Sequence, residues 1–371
     1  MRNLPRSIFY LRYRRRRLVD IRVFDELDRC GHEGLWFASD PATGMRSIIG
    51  IHSTVRGPAL GGTRILPYRS TDAALIDVLR LSRGMTYKAA AAGLPLGGGK
   101  AVIIADPATA KTPELLKAYG RAVESLGGTY ITAEDVGSTV PDMEIVATQT
   151  RHVTGLPIES GGSGDPSPAT AHGVLAAMHA AAEFIWGSAD LDGRSVAIQG
   201  VGKVGSELAR LLAKAGCRLA VGDTNPRAVE SIVAETGARA VATDAILYEE
   251  CDILAPCALG AILDATTIPR LRCVAVVGSA NNMLLGPDDA TRLEAASITY
   301  VPDFVANGGG IINIAEEFHP DGYSWDRAVV AVERIHDTTL EILSRARSEG
   351  ANTLQAAEAL AESRLSAAAS A

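Results

Sequence analysis

No run of about 18 or more apolar residues occurs in the chain, so nothing in the sequence is long enough to span a bilayer as a helix. Cysteine is scarce and unpatterned. Cys30, Cys217, Cys251, Cys257 and Cys273 are odd in number, scattered, and form no Cys-x-x-Cys. That argues against a disulfide framework and implies buried, reduced thiols in a cytoplasmic protein. The histidines show no His-Glu-x-x-His or comparable ligand spacing. His172 and His179 lie two helical turns apart and read as a packed or surface face rather than a metal site. No metal is expected. There is no internal repeat and no long low-complexity tract. Positive charge is not in excess either: Lys plus Arg is 36, Asp plus Glu is 43, and the net charge is −7. Neither nucleic acid nor an anionic membrane is an expected partner. The one basic cluster is Arg2, Arg6, Arg12 and Arg14 to Arg17. It lacks the apolar core of a secretory signal, and blocks of like charge stay unfolded. Residues 1–20 are expected to be a disordered basic leader, with an arm that binds something acidic as the other reading.

What is present fits two domains. A chain of 371 residues exceeds one ordinary hydrophobic core. Residues 21–27 read as a short helix or strand. Residues 35–38 and 46–55 read as strands joined by the turn Asp40-Pro41-Ala42-Thr43-Gly44. Helical spacing of apolar residues predicts a helix over 71–85, capped by Ser70 or Thr71. A second is predicted over 112–126, with Thr112 ahead of Pro113. Short strands are expected at 101–105 and 129–132. The Gly-, Ser- and Pro-rich stretch 155–168 reads as the link to a second unit. An Ala-rich helix over 168–186 opens that unit. The strand 195–199 follows, then strands near 218–222, 240–242, 253–254 and 273–277 alternating with helices. Such alternation implies a parallel sheet covered on both faces. After Gly322 the pattern is helical, with Val329, Val332, Ile335 and Leu340 on one stripe, and this tail is expected to pack back across the first unit.

The segment Gly200-Val201-Gly202-Lys203-Val204-Gly205 follows the strand 195–199 and opens an apolar-periodic helix. Gly200 permits the tight turn, Gly202 lets a pyrophosphate approach the backbone, and Gly205 lets helix and strand pack closely. Asp223 ends the next strand, where a carboxylate would accept from both ribose hydroxyls and repel a 2′-phosphate. The expected cofactor is NAD rather than NADP. Lys203 adds charge near the phosphates or is simply solvated.

Lys88 and Lys100 stand in the Ala- and Gly-rich run Gly84-Met85-Thr86-Tyr87-Lys88-Ala89-Ala90-Ala91-Ala92-Gly93-Leu94-Pro95-Leu96-Gly97-Gly98-Gly99-Lys100. In a dry pocket of small residues, desolvation and a neighbouring ammonium lower a lysine pKa, which suits acid–base work near neutral pH. Spacing alone leaves two readings: a reactive pair, or two surface lysines flanking a glycine loop.

The chain resembles the leucine, phenylalanine and valine dehydrogenases, a branch of the glutamate dehydrogenase superfamily. The matching stretches run in family order from about residue 20 to 340. They are Gly57 to Arg64, the Lys88 to Lys100 run, Thr132 to Gly137, Gly162 to Pro168, Ala255 to Gly260, Gly278 to Asn282 and Pro302 to Val305. The resemblance implies an α/β protein of two domains with an active-site cleft between them. These are an N-terminal substrate and oligomerisation domain (21–154 plus 325–371) and a Rossmann-type, doubly wound NAD domain (155–324). It implies that Lys88, with backbone at Gly61, holds the substrate α-carboxylate. Lys100 is implied to polarise the carbonyl and attacking water, and Asp135 to shuttle protons. Asn281 is implied to lie near the amino group and nicotinamide ribose. Thr170, Cys257 and Ala258 join the loop residues Gly200 to Gly205 and Asp223 at the cofactor. The implied reaction is reversible oxidative deamination of an amino acid to a 2-oxo acid and ammonia, by a homo-oligomer.

By the same resemblance, Leu60, Ala133, Ile311 and Ile314 line the side-chain pocket. All are apolar, so a charged side chain would lie there unpaired. Phenylalanine enzymes tend to have glycine at the position of Ala133, and leucine enzymes valine at those of Ile311 and Ile314. The expectation is a slightly small aliphatic pocket favouring valine, leucine, isoleucine or 2-aminobutyrate. Lys203 departs from the family, where asparagine is frequent, as do Met283, Ala306 and Gly308. An aromatic or specialised-pathway amino acid is the alternative substrate. A non-catalytic NAD-binding protein is a further alternative, against which the presence of Lys88, Lys100 and Asp135 argues.

Overall fold

Two sheets organise the chain, one mixed and one wholly parallel. The computed structural model describes residues 22–370, so the basic leader lies outside the described residues. The first unit contains β1 (Gly34–Asp40), β2 (Met45–Ser53), β3 (Ala59–Leu66), β4 (Gly97–Ile104) and β5 (Tyr130–Glu134) in the order β1-β2-β4-β3-β5. β2 runs antiparallel to β1 and β4, while β3 is parallel to β4 and β5. Side chains alternate across a strand, and both faces of this sheet are covered. Ile48 and Val102 face the helix Thr71–Ala91, with Leu75, Val78 and Leu79. Ile49, Ala101 and Ile103 face the opposite core with Leu115, Tyr119 and Met143, from the helices Pro113–Glu124 and Val140–Ala147. The expected caps form: Ser70 Oγ accepts from Ala73 N–H and Thr112 Oγ1 from Leu115 N–H.

The second unit is the expected parallel sheet. Its strands are β6 (Ser195–Gln199), β7 (Arg218–Gly222), β8 (Arg239–Ala240), β9 (Cys251–Pro256), β10 (Cys273–Val276) and β11 (Thr299–Tyr300), in the order β11-β10-β9-β6-β7-β8. β6 lies between β9 and β7, so the strand order reverses where the glycine loop leaves β6, the usual place for a ligand crevice in such sheets. The Ala-rich helix Ser167–Trp186 packs on this sheet, and its small side chains allow close approach. The C-terminal helices divide. Val332, Ile335 and Leu343, from Trp325–Glu333 and Ile335–Glu349, join the core of the second unit. The last helix, Thr353–Ala369, packs with Ala91 at the end of the lysine-bearing helix through Ala356, Ala357 and Leu360. Where the sequence places 325–371 together on the first unit, the tail serves both. His172 and His179 part company: His172 meets the Trp325 ring edge-on, and His179 bonds the Ala189 carbonyl. No helix of the described residues is long and apolar enough to cross a membrane.

Two boundaries differ from the sequence reading, and both matter. The helix expected over 71–85 continues to Ala91, so Lys88 sits on its last turn. The strand expected over 101–105 begins at Gly97, so the glycine run is strand rather than loop. Glycine's low strand preference is overridden by crowding. A Cβ on Gly98 would lie 2.1 Å from the Thr86 backbone nitrogen, and one on Gly99 2.7 Å from the Tyr130 ring. The glycines let the helix carrying Lys88 lie directly on the strand carrying Lys100. Gly98→Ala is therefore expected to destabilise the protein by about 1–3 kcal/mol or more, read as a lower thermal midpoint, and to reduce turnover by spreading the two lysines. An unchanged midpoint would contradict this packing.

Candidate active site

Gly98, Lys100 and Val102 share one face of β4 by strand alternation, and that face meets the Lys88 helix. Lys100 is only 6% exposed, unusual for a lysine unless paired. Its partner is Asp135, one residue beyond β5, with Lys100 Nζ 2.9 Å from Asp135 Oδ2. Arg64, on the neighbouring β3, brings Nε to 3.0 Å from the same oxygen and a second nitrogen to 2.9 Å from Asp77 Oδ2. Tyr68 also donates to Asp77. Beneath the turn, Ser138 Oγ accepts from Asp135 N–H and donates to the Thr63 carbonyl, fixing the backbone. One carboxylate oxygen thus serves two cations, while Oδ1 has no protein partner among the described residues.

These contacts set the charge states. Burial works against ionisation of Asp135, but Lys100 and Arg64 outweigh it and hold the carboxyl well below the usual carboxylate range. For Lys88, burial pushes the ammonium down to about 8; Asp303 opposes that shift and Lys100 adds to it. Lys88 keeps some accessible surface while protein crowds it closely, the situation of a side chain lining a cleft. The lysine that the resemblance makes the carboxylate anchor is thus one whose pKa burial lowers. Asp303 belongs to the second unit, where its carboxylate accepts from the N–H groups of Phe304 at 2.8 Å and Met283 at 3.2 Å. Burial raises its pKa and Lys88 draws it back.

The expected pocket residues also converge. Leu60 and Ile311 are buried in one cluster with Ala89, Leu96 and Ile131, and Ile314 and Met85 pack against it. Ala133, 5% exposed, pairs with Gly62 across β3 and β5. Gly61 cannot carry a side chain, because a Cβ would lie 1.8 Å from the Gly99 carbonyl oxygen.

In the second unit each loop glycine has a distinct reason. Gly200 has φ +95°, and a Cβ there would meet Ala258 at 2.6 Å. A Cβ on Gly205 would lie 2.0 Å from the Gly200 carbonyl oxygen, so helix and loop touch there. Gly202 has open space around it, which leaves the backbone free to meet a ligand at the start of the helix Lys203–Lys214. Asp223 Oδ2 accepts from Val201 N–H at 2.8 Å and Oδ1 from Asn225 N–H at 2.8 Å. Cys257 N–H donates to the Gln199 carbonyl, which holds Cys257 and Ala258 over the loop. Thr170 bonds the Pro166 carbonyl and lies against Gly310. Lys203 pairs at 2.9 Å with Asp165 from the linker. Asn281 projects from the exposed turn after β10, where Asn282 takes φ +52°, a left-handed conformation that asparagine tolerates. The residues fit a dinucleotide, and the loop geometry is that of NAD-binding sheets.

With this geometry established, comparison with known proteins is decisive. A family model described as Glu/Leu/Phe/Val dehydrogenase, dimerisation domain, matches residues 35–152. A second, glutamate/leucine/phenylalanine/valine dehydrogenase, matches residues 219–371. The chain belongs to this dehydrogenase family. The NAD-binding domain of D-isomer specific 2-hydroxyacid dehydrogenases also matches, over residues 176–260. Leucine dehydrogenase of Geobacillus stearothermophilus is 47% identical over 343 residues, 92% of this chain and 93% of that protein. Valine dehydrogenase of Streptomyces virginiae is 47% identical over 342 residues, 91% and 95% of the two chains. Among solved structures, L-tryptophan dehydrogenase from Nostoc punctiforme superposes with a TM-score of 0.83 at 42% identity, covering 94% of this chain and 100% of that one.

Within this family site, Arg64, Asp303 and the pocket residue Ile131 were given no role by the sequence reading. Arg64 and Asp303 lie inside recognised motifs, and the only signal was a charge in an otherwise apolar run. The ionic arrangement gives a pH test. Removing Arg64 leaves Asp135 buried with one cation, so its folded pKa rises. The wild-type stability from Asp135 is complete above the unfolded value of 3.8 and is lost only as pH falls below it. Arg64→Met should thus lower the thermal midpoint at pH 7, and the deficit should narrow as pH falls through the raised folded pKa of Asp135. A deficit independent of pH would contradict this.

Proposed function

We propose that the chain catalyses NAD-dependent oxidative deamination of a small aliphatic L-amino acid, with Lys100 and Asp135 as its reactive pair. The observation that carries this reading is the buried 2.9 Å contact between Lys100 and Asp135, set beside Lys88. Gly200 to Gly205, Asp223, Thr170, Cys257, Ala258 and Asn281 would hold NAD, which when bound supplies the acceptor for the Cα hydride. Lys88 anchors the α-carboxylate, and the Gly61 backbone fixes its angle. The imine left on the substrate is attacked by water. Asp135 takes the water proton at Oδ1, the oxygen free of cations, and Lys100 stabilises the developing alkoxide. Asp135 then returns that proton to the carbinolamine nitrogen; the C–N bond breaks, ammonia leaves with the bond pair, and the hydroxyl proton passes to solvent as the carbonyl forms.

The side-chain pocket supports an aliphatic substrate. Leu60, Ile131 and Ile311 are buried hydrocarbon, and Ala133 keeps a methyl where an aromatic ring would need room. Leucine and valine dehydrogenases match across more than nine-tenths of the chain, and so does a phenylalanine dehydrogenase, so the pocket rather than the relatives' names carries the aliphatic reading. We infer also that the protein works as a homo-oligomer, on the strength of the dimerisation-domain match over residues 35–152.

Steady-state NADH formation tests the reading. Leucine or valine should exceed phenylalanine in kcat/KM by about tenfold or more, since each methylene is worth ~1–3 kcal/mol, and NAD should be preferred to NADP. A preference for phenylalanine or tryptophan would overturn the pocket assignment. For the reverse reaction, Lys88 carries charge below its pKa and loses it above. The KM for the 2-oxo acid should rise as pH passes about 8, and Lys88→Met should abolish that pH dependence while raising KM throughout. A flat profile in the wild type would contradict the anchor role.

A further inference from the structure

Asn307 is 5% exposed and lies at the junction between the short helix Asp303–Ala306 and the helix Gly309–Ala315, which carries Ile311 and Ile314. Its side-chain nitrogen donates to the Asn281 Oδ1 at 2.8 Å and to the Ser279 carbonyl at 3.1 Å. Its own Oδ1 is buried with no hydrogen-bond partner among the described residues. An amide's two ends are distinguished only by their partners. Here a partner decides, because a backbone carbonyl can only accept. The Ser279 carbonyl therefore fixes nitrogen as the end of Asn307 that points at it. That same nitrogen faces Asn281, so the Asn281 atom opposite must be oxygen. The Asn281 NH2 group is left pointing away from Asn307, on a side chain that is exposed.

The orphaned Oδ1 carries the second half of the case. Buried polar atoms are nearly always satisfied, and an unsatisfied one is costly. Asparagine at this position is a poor choice for packing alone, since leucine shares its branched outline and carries no orphaned oxygen. The donor is what leucine lacks, and its two acceptors are the Ser279 carbonyl and Asn281.

We propose that Asn307 is a positioning residue for the deamination: it locks the Asn281 amide in one orientation, so that Asn281 offers its NH2 donors, rather than its oxygen, to an oxygen of the substrate or the nicotinamide ribose. The proposal rests on the reading of Asn281 as a cleft residue in the function above. It also ties the cofactor-side turn to the helix bearing the pocket wall, because Asn307 immediately precedes that helix.

The test is a double-mutant cycle of Asn281→Ala and Asn307→Leu, read as kcat/KM for the amino acid, as NADH affinity by fluorescence titration, and as thermal midpoint. Asn307→Leu keeps the branched outline of the side chain, removes the orphaned oxygen and deletes the donor. The expected result is a loss of about tenfold or more in kcat/KM with a midpoint unchanged or raised, because misplacing a contact group is expensive in rate. NADH affinity should fall in the same proportion in Asn307→Leu as in Asn281→Ala. In the Asn281→Ala background, Asn307→Leu should cost less than about threefold more in either reading, since its partner is already gone. Losses that multiply in the double variant, or a single Asn307→Leu variant with wild-type kcat/KM, would overturn the proposal. If Asn307→Leu fails to fold, Asn307→Ala, which also deletes the donor, is read instead against the same cycle. Wild-type rates in Asn281→Ala would instead contradict the underlying placement of Asn281, whatever Asn307 does.

Discussion

The ion pair between Lys100 and Asp135 is the constraint around which the first unit is built. A buried charge pair is stable only when its remaining valences are met, and the surrounding sequence meets them. Arg64 adds a second cation to Asp135 and is itself balanced by Asp77, so the carboxylate lies inside a chain of alternating charge. Neutralising one member would leave an uncompensated charge in a poorly solvated site. The arrangement also divides one carboxylate: Oδ2 meets both cations, and Oδ1 has no protein partner among the described residues.

Getting both lysines into one place is a packing problem, and glycine solves it. Strand β4 approaches the helix Thr71–Ala91 so closely at Gly98 that no side chain fits, and β3 approaches β4 as closely at Gly61. The close contact between helix and strand puts two ammonium groups near one another. Their repulsion, together with burial, is what lowers Lys88. Asp303 answers from the second unit, so the charge on Lys88 is shaped by residues from both sides of the cleft.

Much of this was legible in the residues. The tight turn read at Gly200 is present at φ +95°, and the close contact read at Gly205 falls between helix and loop rather than between helix and strand. Leu60, Ile311 and Ile314 share one apolar cluster, a grouping that the resemblance implied and that alternation or helical periodicity alone does not reveal. The reach of the secondary structure was less legible. Glycines 97–99 read locally as a loop, and only the crowding by Thr86 and Tyr130, distant in sequence, makes them strand. The helix overran its expected end because the alanines 89–91 favour helix and pack against neighbouring elements. The roles of Asp303 and Arg64 depend on contacts between segments far apart, which no local pattern records. The C-terminal helices divide between the units for a similar reason: an apolar stripe shows that a helix packs, not on what.

The most direct test of the central pair is steady-state turnover by Lys100→Ala, read as ammonia release alongside NADH with leucine or valine and saturating NAD. Lys88 remains in that variant, so amino-acid binding should persist while the rate of turnover falls by about a hundredfold or more. A wild-type rate of NADH formation, sustained through multiple turnovers, would contradict a reactive centre built on Lys100 and Asp135.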